Sequence, residues 1–371
     1  MKIKTLLVIL AFFACLIAVV AIKQSVAETY KLHHLDFYEK AEDWTAFAIK
    51  NMRLQDDGKL LIENTVQPGL IQSPPIKTLY NFDEILLSWN YFTNYPGGLY
   101  IVLSLSPDSL AWYDFGYQIW GAINPDSAGF SAFAKRFDGI GRVDEDIIRL
   151  KQPMRYYKYA ITTYADSGNF GELDRITVCY TNTEAKIREY NKYAPAISQI
   201  EPVKLSVPFK AQGWLPDSIA GLTCSPTSLT MVLNYYNFDY THLQVASVTY
   251  DHYNNIYGNW PYNAQAAFIL TKYKTWIGRH NSFAELAEEL KAGRPVIISI
   301  AVNENQKLTG APYKTTNGHL IVVRGFTDDN KVLINDPAGD NIDEGVVAYD
   351  IDELTEVWTS HEGVAYHICP Q

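Results

Sequence analysis

A cysteine, a histidine, an aspartate and a glutamine in the second half of the chain have the residue types needed for acyl transfer. Cys224 precedes an apolar run with helical spacing, and the unpaired N–H groups at a helix start favour the reactive thiolate. His319 opens an apolar strand-like run, Asp336 follows another, and Gln212 lies upstream of the cysteine. A cysteine nucleophile needs a base, and the base needs a third group that fixes its tautomer. A side-chain amide can stabilise the oxyanion together with the N–H group of the cysteine.

Each of these residues also has a purely structural explanation. A cysteine before a helix is more often structural than catalytic, and His319 fits the end of a sheet. Asp336 fits a turn before Pro337, and Gln212 fits a solvated loop. The hypothesis of one site therefore depends on whether the fold brings the four side chains together.

A predicted β-hairpin supports the pairing of the base with its carboxylate. If Phe326 faces Lys331 across the turn, His319 faces Ala338, and Asp336 becomes the diagonal neighbour of His319 on the same face. Diagonal neighbours lie about 7–8 Å apart, within reach of long side chains. A slip of one residue would place Asp336 on the opposite face of the sheet.

The second half of the chain predicts an α+β domain, with helices first and an antiparallel sheet second. Ser225 is the expected N-cap of the helix after Cys224, and Ser282 with Glu285 predicts a capping box that opens a helix ending near Gly293. The other predicted helices are Ser225 to Phe238, Leu243 to Tyr253 and Asn263 to Trp276. The predicted strands are Pro295 to Ala301, His319 to Phe326, Lys331 to Asn335, Val346 to Tyr349 and Val364 to Ile368.

Residues 28–183 predict a separate all-β domain, similar to a sandwich or jelly roll, because short β-branched and aromatic runs alternate with turn signals. Residues 184–202 form the expected linker, with a short helix from Ala185, and residues 203–371 form the α+β domain. Four aromatic residues of the β domain are expected in its core, although they could instead stack on a carbohydrate. They are Trp89, Trp112, Tyr113 and Trp120.

Residues 1–27 are typical of an export signal. Lys2 and Lys4 precede the apolar run from Leu6 to Ile22, and the small residue Ala27 marks a cleavage site. The predicted location is therefore secreted or extracytoplasmic at the cell surface. An uncleaved segment would instead anchor the chain in the membrane, since the run is just long enough for a span.

Charge and cysteine content exclude several kinds of partner. The net charge of −10 with no basic cluster argues against nucleic acid. No cofactor is expected, and no metal site either, because His33 and His34 are adjacent and point in different directions on a strand. Beyond the signal, Cys179 and Cys369 accompany Cys224, and they either form a disulfide or are simply buried.

Four motifs in this order resemble the bacteriocin-processing family of papain-like cysteine peptidases, and in particular its secreted stand-alone branch, which is peptidase family thirty-nine-like. The resemblance covers about residues 203–371 and includes a further segment, Gly258 to Asn263. It implies a papain-like fold with Cys224 as nucleophile, His319 as base, Asp336 as orienting residue and Gln212 in the oxyanion hole. The motifs are Gln212-Gly213-Trp214, Cys224 to Ser228, Gly318 to Val323 and Asn335 to Ala338.

Three functions fit the sequence. The first is an exported cysteine peptidase that forms a thioester at Cys224 on a peptide or protein substrate. The second is an amide hydrolase or transpeptidase that uses the same residues on cell-wall cross-bridges. The third is a surface binding protein with a catalytically idle site, in which residues 28–183 serve as the binding module. These residues could also dock substrate or inhibit the neighbouring domain.

Overall fold

The computed structural model describes residues 29–62, 67–93, 97–121, 139–165 and 171–370. The predicted export signal lies outside the described residues, so export stays a prediction of the sequence. None of the helices that the structure describes combines the length and the apolar character needed to cross a bilayer.

The N-terminal sheet contains eleven antiparallel strands, which come from residues 29–186. Its longest strands are β6, β10 and β11, and β6 pairs with both of the others. The shorter strands pair with these three or with one another, so hydrogen bonds link all eleven. The strands are β1 Thr29–Tyr38, β2 Ala48–Lys50, β3 Met52–Leu54, β4 Leu60–Ile62, β5 Gly69–Gln72, β6 Ile76–Thr93, β7 Gly97–Ser106, β8 Tyr113–Gly121, β9 Gly141–Asp144, β10 Ile147–Ala165 and β11 Gly171–Lys186.

This region is built from strands, as predicted, but the sandwich or jelly-roll arrangement is not confirmed, because one continuous sheet connects every strand. Trp89 and Trp120 are buried in the hydrophobic core, which agrees with their expected core role. Trp112 and Tyr113 are half-buried. A lysine, Lys158, lies over the Trp112 ring, 4.4 Å from its centroid.

The C-terminal sheet contains seven antiparallel strands in the order β13-β18-β14-β15-β16-β17, with β12 beside β15. The strands are β12 Val203–Lys204, β13 Lys274–Arg279, β14 Val296–Val302, β15 Thr316–Phe326, β16 Lys331–Asn335, β17 Val346–Asp350 and β18 Val364–Cys369. The helices are α1 Ile187–Tyr193, α2 Asp217–Ala220, α3 Cys224–Tyr235, α4 His242–Thr249, α5 Trp260–Thr271, α6 Ala287–Lys291, α7 Ile342–Gly345 and α8 Ile351–Thr359. Single 3₁₀ turns lie at Ala41–Trp44, Gln212–Trp214 and Phe283–Glu285.

The five strands predicted in this half are confirmed, and the fold is α+β. The helix predicted to end at Trp276 ends at Thr271, since Lys272 adopts a left-handed conformation and the chain then enters β13. The capping box at Ser282 is wrong, because this side chain makes no capping hydrogen bond. Glu285 instead accepts the backbone N–H of Asn281, which opens a 3₁₀ turn and not an α-helix.

The β15–β16 hairpin reaches the predicted register by an unexpected route. At its turn Phe326 pairs with Val332, one residue away from the assumed pair. A β-bulge between Val323 and Gly325 then shifts the register, so that Val322 pairs with Asn335 as predicted. Gly325 has φ +151°, and a Cβ there would lie 1.9 Å from the Val203 carbonyl oxygen, so the bulge and the adjacent β12 both require glycine. The bulge thereby puts Asp336 on the face of His319.

The two halves of the chain are joined by buried hydrogen bonds between β6, α5 and β13. Asn90 on β6 binds Thr275 on β13 three times, donating to its carbonyl and hydroxyl oxygens and accepting its N–H at 3.1 Å. The Gln265 side chain on α5 likewise accepts the Tyr91 N–H and donates to the Tyr91 carbonyl. The side-chain amides of Asn90 and Gln265 thus make backbone hydrogen bonds of the kind that a neighbouring strand would make. They fix the position of one half of the chain against the other.

A buried ion-pair network strengthens the same junction. Arg279 on β13, which is almost fully buried, donates to Glu84 on β6 and to Glu362 before β18. Arg149 on β10 binds the same two carboxylates. The Glu362 carboxyl is buried, which would raise its pKa, but Arg279 and Arg149 together lower its pKa below the usual range. Removal of one partner would leave a buried charge uncompensated.

The Asn90 bonds predict that the junction contributes to stability. Asn90→Ala leaves the Thr275 N–H and carbonyl groups buried without these partners, and we expect a loss of about 2–4 kcal/mol in the free energy of unfolding. Urea denaturation followed by tryptophan fluorescence measures the loss. Asn305→Ala, at an exposed loop residue, is the matched control and is expected to change stability by less than about 0.5 kcal/mol. Equal effects of the two substitutions would contradict the assigned role of Asn90.

Candidate active site

Cys224 is the first residue of α3, and its side chain is half-buried at the wall of a cleft. The N-cap is Thr223 and not Ser225, because the helix begins one residue earlier than predicted. Ser225 instead lies inside the first turn, where its hydroxyl is 3.0 Å from that of Tyr366. Pro226 occupies the same turn, in which a missing N–H group costs nothing. The predicted position of Cys224 at a positive helix end is confirmed.

His319 on β15 lies between Asp336 and Cys224. Its Nε2 atom is 2.7 Å from Oδ1 of Asp336, and its ring lies beside the Cys224 thiol, close enough that the thiol shifts its pKa. Because Nε2 hydrogen-bonds the carboxylate, Nδ1 is the ring nitrogen that is available to the Cys224 sulfur. α3 is held against this strand by the Ser228 hydroxyl, which donates to the Leu320 carbonyl at 2.8 Å. The structure therefore brings three of the four predicted residues together, with His319 between Asp336 and Cys224.

The charges and the burial around Cys224 and His319 favour a thiolate–imidazolium pair. Burial disfavours the charged imidazole of His319, but Asp336 and Cys224 overcome this and raise its pKa to about 10. Burial likewise opposes the thiolate of Cys224, but the neighbouring His319 lowers the thiol pKa below its usual value. Both pKa shifts favour a proton on the imidazole and a negative charge on the sulfur, which is its nucleophilic form.

Asp336 is completely buried and held by several donors besides His319. Its Oδ2 atom accepts the hydroxyl groups of Tyr313 and Tyr349, each at 2.9 Å, and its Oδ1 atom accepts the Ala338 N–H at 3.0 Å. Burial alone would raise the pKa of this carboxyl, yet the charge of His319 and these hydrogen bonds lower it. The aspartate is thus ionised and fixed in orientation.

Gln212 lies beside the segment that follows Asp336. It begins a 3₁₀ turn, and its backbone N–H donates to the Pro337 carbonyl at 2.8 Å. Its Oε1 atom is buried without a hydrogen-bond partner among the described residues. Trp214 in the same turn donates its indole N–H to Asp340. The turn is therefore tied to the loop after β16, the same loop that carries the aspartate.

A cleft of about 880 Å³ opens over Cys224. Its lining on the C-terminal side includes Leu222, Gly318 and His361. Burial lowers the pKa of His361, which favours the neutral form of this cleft histidine. A cleft of this size beside a nucleophilic sulfur can hold a short segment of an extended chain.

Residues 204–366 match the model of the Peptidase_C39 like family. This part of the chain is a papain-like, C39-like peptidase domain. The family indicates a cysteine peptidase, which agrees with the expectation from the motifs.

Fourteen solved chains match this one. A C39-like peptidase from Bacillus anthracis is 22% identical, with 46% of this chain and 98% of that chain covered, at a TM-score of 0.36. A double glycine motif protease from an AMS/PCAT transporter, solved with a leader peptide, is 25% identical over 47% of this chain and all of that chain, at a TM-score of 0.31. The peptidase domain of Streptococcus ComA is 18% identical, covering 41% and 93%, at a TM-score of 0.30. A comparison with curated proteins gives no match.

Besides Cys224, the two cysteines in the described part of the chain are free thiols. Cys179 lies buried on β11 and Cys369 ends β18, so the disulfide between them is not formed and the alternative of separate thiols holds. Burial raises the pKa of Cys179 to about 12, which makes it unreactive. Among the described residues no cluster of three or more His, Cys, Asp or Glu side chains could hold a metal ion.

Sequence reasoning missed the two tyrosines that bind Asp336 and the contribution of the N-terminal strands to the cleft. Tyr313 lies in a loop of irregular structure, where no periodicity marks it. Tyr349 was placed at the end of a predicted strand, without a role at the site. The cleft residues of β8 and of the β9–β10 turn come from the other half of the chain, and a long-range contact of this kind leaves no local signal.

The electrostatics of Asp336 predict the pH dependence of thiol reactivity. In the wild-type protein the thiol pKa is lowered, so iodoacetamide should alkylate Cys224 well below the usual thiol pKa of about 8.5. Asp336→Asn removes the charge that stabilises the imidazolium, and we expect the alkylation rate at pH 6 to fall at least about tenfold. Mass spectrometry of the peptide that contains Cys224 measures the rate separately from Cys369.

The matched control for this experiment is Asp329→Asn, at the exposed turn of the same hairpin. It should leave the alkylation rate unchanged at every pH. Identical pH profiles for wild type and Asp336→Asn would contradict the assigned role of the carboxylate.

Proposed function

We propose that this protein is an exported cysteine peptidase that hydrolyses peptide bonds through a thioester at Cys224. One observation carries the proposal: His319 hydrogen-bonds the buried Asp336 carboxylate and lies beside the Cys224 thiol, close enough that each shifts the pKa of the other, and the sulfur lies at the wall of an open cleft. The match of residues 204–366 to a C39-like peptidase family supports the same reaction. The apolar N-terminal run after Lys2 and Lys4 supports export.

In this mechanism the Cys224 thiolate attacks the carbonyl carbon of the scissile peptide bond. His319, already protonated, gives its proton to the leaving amine as the C–N bond breaks, and a thioester remains. The neutral imidazole next removes a proton from water, which attacks the thioester and releases the carboxylic acid. Asp336 keeps Nε2 protonated throughout and thereby presents Nδ1 to the sulfur.

Gln212 is the proposed side-chain donor to the oxyanion. Its turn is tied to the loop after Asp336, and the N–H groups at the start of α3 provide the complementary donors. Two donors of this kind bind the developing charge more strongly than the neutral carbonyl of the substrate, which lowers the barrier.

Substitution of the nucleophile tests the proposed reaction. Cys224→Ala removes the sulfur that forms the thioester, so turnover of casein or of a quenched fluorescent peptide library should fall to background. The protein is best recovered from the medium of a secreting bacterial host, and its N-terminal sequence would begin at Glu28 if the signal is removed. Cys369→Ala, which removes another half-buried thiol, is the control and should keep full turnover.

The same assays separate the competing functions. Release of peptides from purified cell wall with no turnover of casein or the library would favour action on cross-bridges over general proteolysis. Turnover by Cys224→Ala at the wild-type rate would refute the thioester mechanism. The absence of turnover on every amide, with intact binding to wall, would favour the idle binding protein.

Kinetic measurements can distinguish the proposed oxyanion role of Gln212 from a structural role. Gln212→Ala is expected to lower kcat by about 10²- to 10³-fold with little change in KM, because the lost bond forms mainly in the transition state. The rate of Cys224 alkylation should stay at the wild-type value, since iodoacetamide develops no oxyanion. Gln72→Ala, at an exposed glutamine of β5, is the control. Equal losses in alkylation and in kcat would instead indicate a structural role for Gln212.

A further inference from the structure

The N-terminal sheet supplies one wall of the cleft that contains Cys224. The wall consists of β8 residues 116–119 and of the β9–β10 turn, residues 143–147, with Arg149 beyond it. The C39-like domain provides the opposite wall, with the nucleophile. A substrate bound at the sulfur therefore meets side chains from both halves of the chain.

The tip of the β9–β10 turn is fixed in place by several hydrogen bonds. The Gln118 side chain donates to the Glu145 carbonyl at 2.7 Å, and the Tyr117 hydroxyl donates to the Asp146 carbonyl. The Asp146 carboxylate accepts the Trp260 N–H at 3.0 Å, at the N-terminus of α5. The tip is thus attached both to its own sheet and to the C39-like domain.

Glu145 is the exposed residue of this tip, and it has φ +54°, a left-handed conformation that costs a residue with a Cβ about 1 kcal/mol. Asparagine or glycine would fit such a turn with less strain. Strain kept at one position of a cleft indicates that the side chain there has a use.

Most other charges around the cleft are already compensated. Asp144 pairs with Arg142 and Arg149, and Arg149 also binds two further carboxylates of the junction. Burial raises the pKa of the Asp146 carboxyl to about 8, and this carboxyl accepts the Trp260 N–H at the N-terminus of α5. Of the charged groups that line the cleft in the described part of the chain, Glu145 is the one for which the structure gives no ion pair or hydrogen bond to its side chain.

We propose that Glu145 is a specificity-determining residue that binds a lysine or arginine side chain of the peptide substrate. The cleft volume equals that of a sphere about 12 Å across, which an extended peptide crosses in about three or four residues. The basic side chain therefore lies within a few residues of the bond that Cys224 attacks. The overall charge of −10 attracts such a substrate further. This inference rests on the proposed peptidase function.

Binding measured without turnover tests the inference separately from the reaction. Octapeptide libraries, each with lysine, arginine, glutamine or glutamate fixed at one position and the others random, are passed over immobilised full-length Cys224→Ala protein. The lysine and arginine libraries should be retained about five- to tenfold more than the glutamate library at one or two positions, and high salt should reduce the difference. In the double variant Cys224→Ala/Glu145→Lys, the preference should reverse.

Two controls make the result specific to this carboxylate. Glu145→Gln in the same background should abolish the preference without reversing it, and Glu304→Lys, at an exposed residue outside the cleft lining, should leave it intact. Thermal unfolding confirms that each variant is folded. Equal retention of all libraries, or no retention of any, overturns the inference.

Turnover distinguishes the inference from the proposed function. A basic preference in binding with no turnover by the wild-type protein would sustain the role of Glu145 and refute the peptidase. Turnover of the glutamate and lysine libraries at equal rates would refute the role of Glu145 and sustain the peptidase.

Discussion

A single buried carboxylate, that of Asp336, organises the C-terminal half of this protein. A charge with no exposed surface is stable only when its surroundings satisfy it, and here a ring nitrogen, two phenols and a backbone N–H do so. These donors come from β15, from the loop before it, from β17 and from the turn after β16. The need to satisfy one anion therefore fixes the relative positions of four segments, and the imidazole that results is presented to the start of α3.

The predicted site illustrates which kinds of information a sequence contains. Apolar strands such as β14 and β15 are recognisable because continuous runs of branched residues have few other conformations available. The contact between His319 and Asp336 follows from a register argument, although the assumed pair at the turn was off by one and a bulge at Gly325 restored the register. Tyr313 was unpredictable, because its role depends on the path of an irregular loop and not on any local pattern.

The boundary between helix and strand was harder to place at β13. The residues after Thr271 continue an apolar pattern that suits a helix or a strand equally well. The left-handed conformation of Lys272 ends the helix there, and the chain continues as β13. Similarly, Ser282 has the residue types of a capping box, but Glu285 is engaged by Asn281 and His280 before it can cap a helix. Tertiary partners, which no spacing reveals, override local preference at both positions. The division of the chain into a β-rich first half and an α+β second half was visible, whereas the contacts between them were not.

The buried hydrogen bonds of the Asn90 and Gln265 side chains limit how far the two halves of the chain can move relative to each other. Two domains joined by a flexible hinge can move apart to admit a bulky partner. Here buried hydrogen bonds connect the two halves of the chain that form the cleft, and all of these bonds would have to break together before the cleft could open. Such an opening is a sub-global unfolding event and hence rare. We therefore expect the width of the cleft to stay nearly constant. In the proposed peptidase a polypeptide would then enter as an extended, unfolded segment, and a compact folded protein would resist attack until a terminus or a loop becomes accessible.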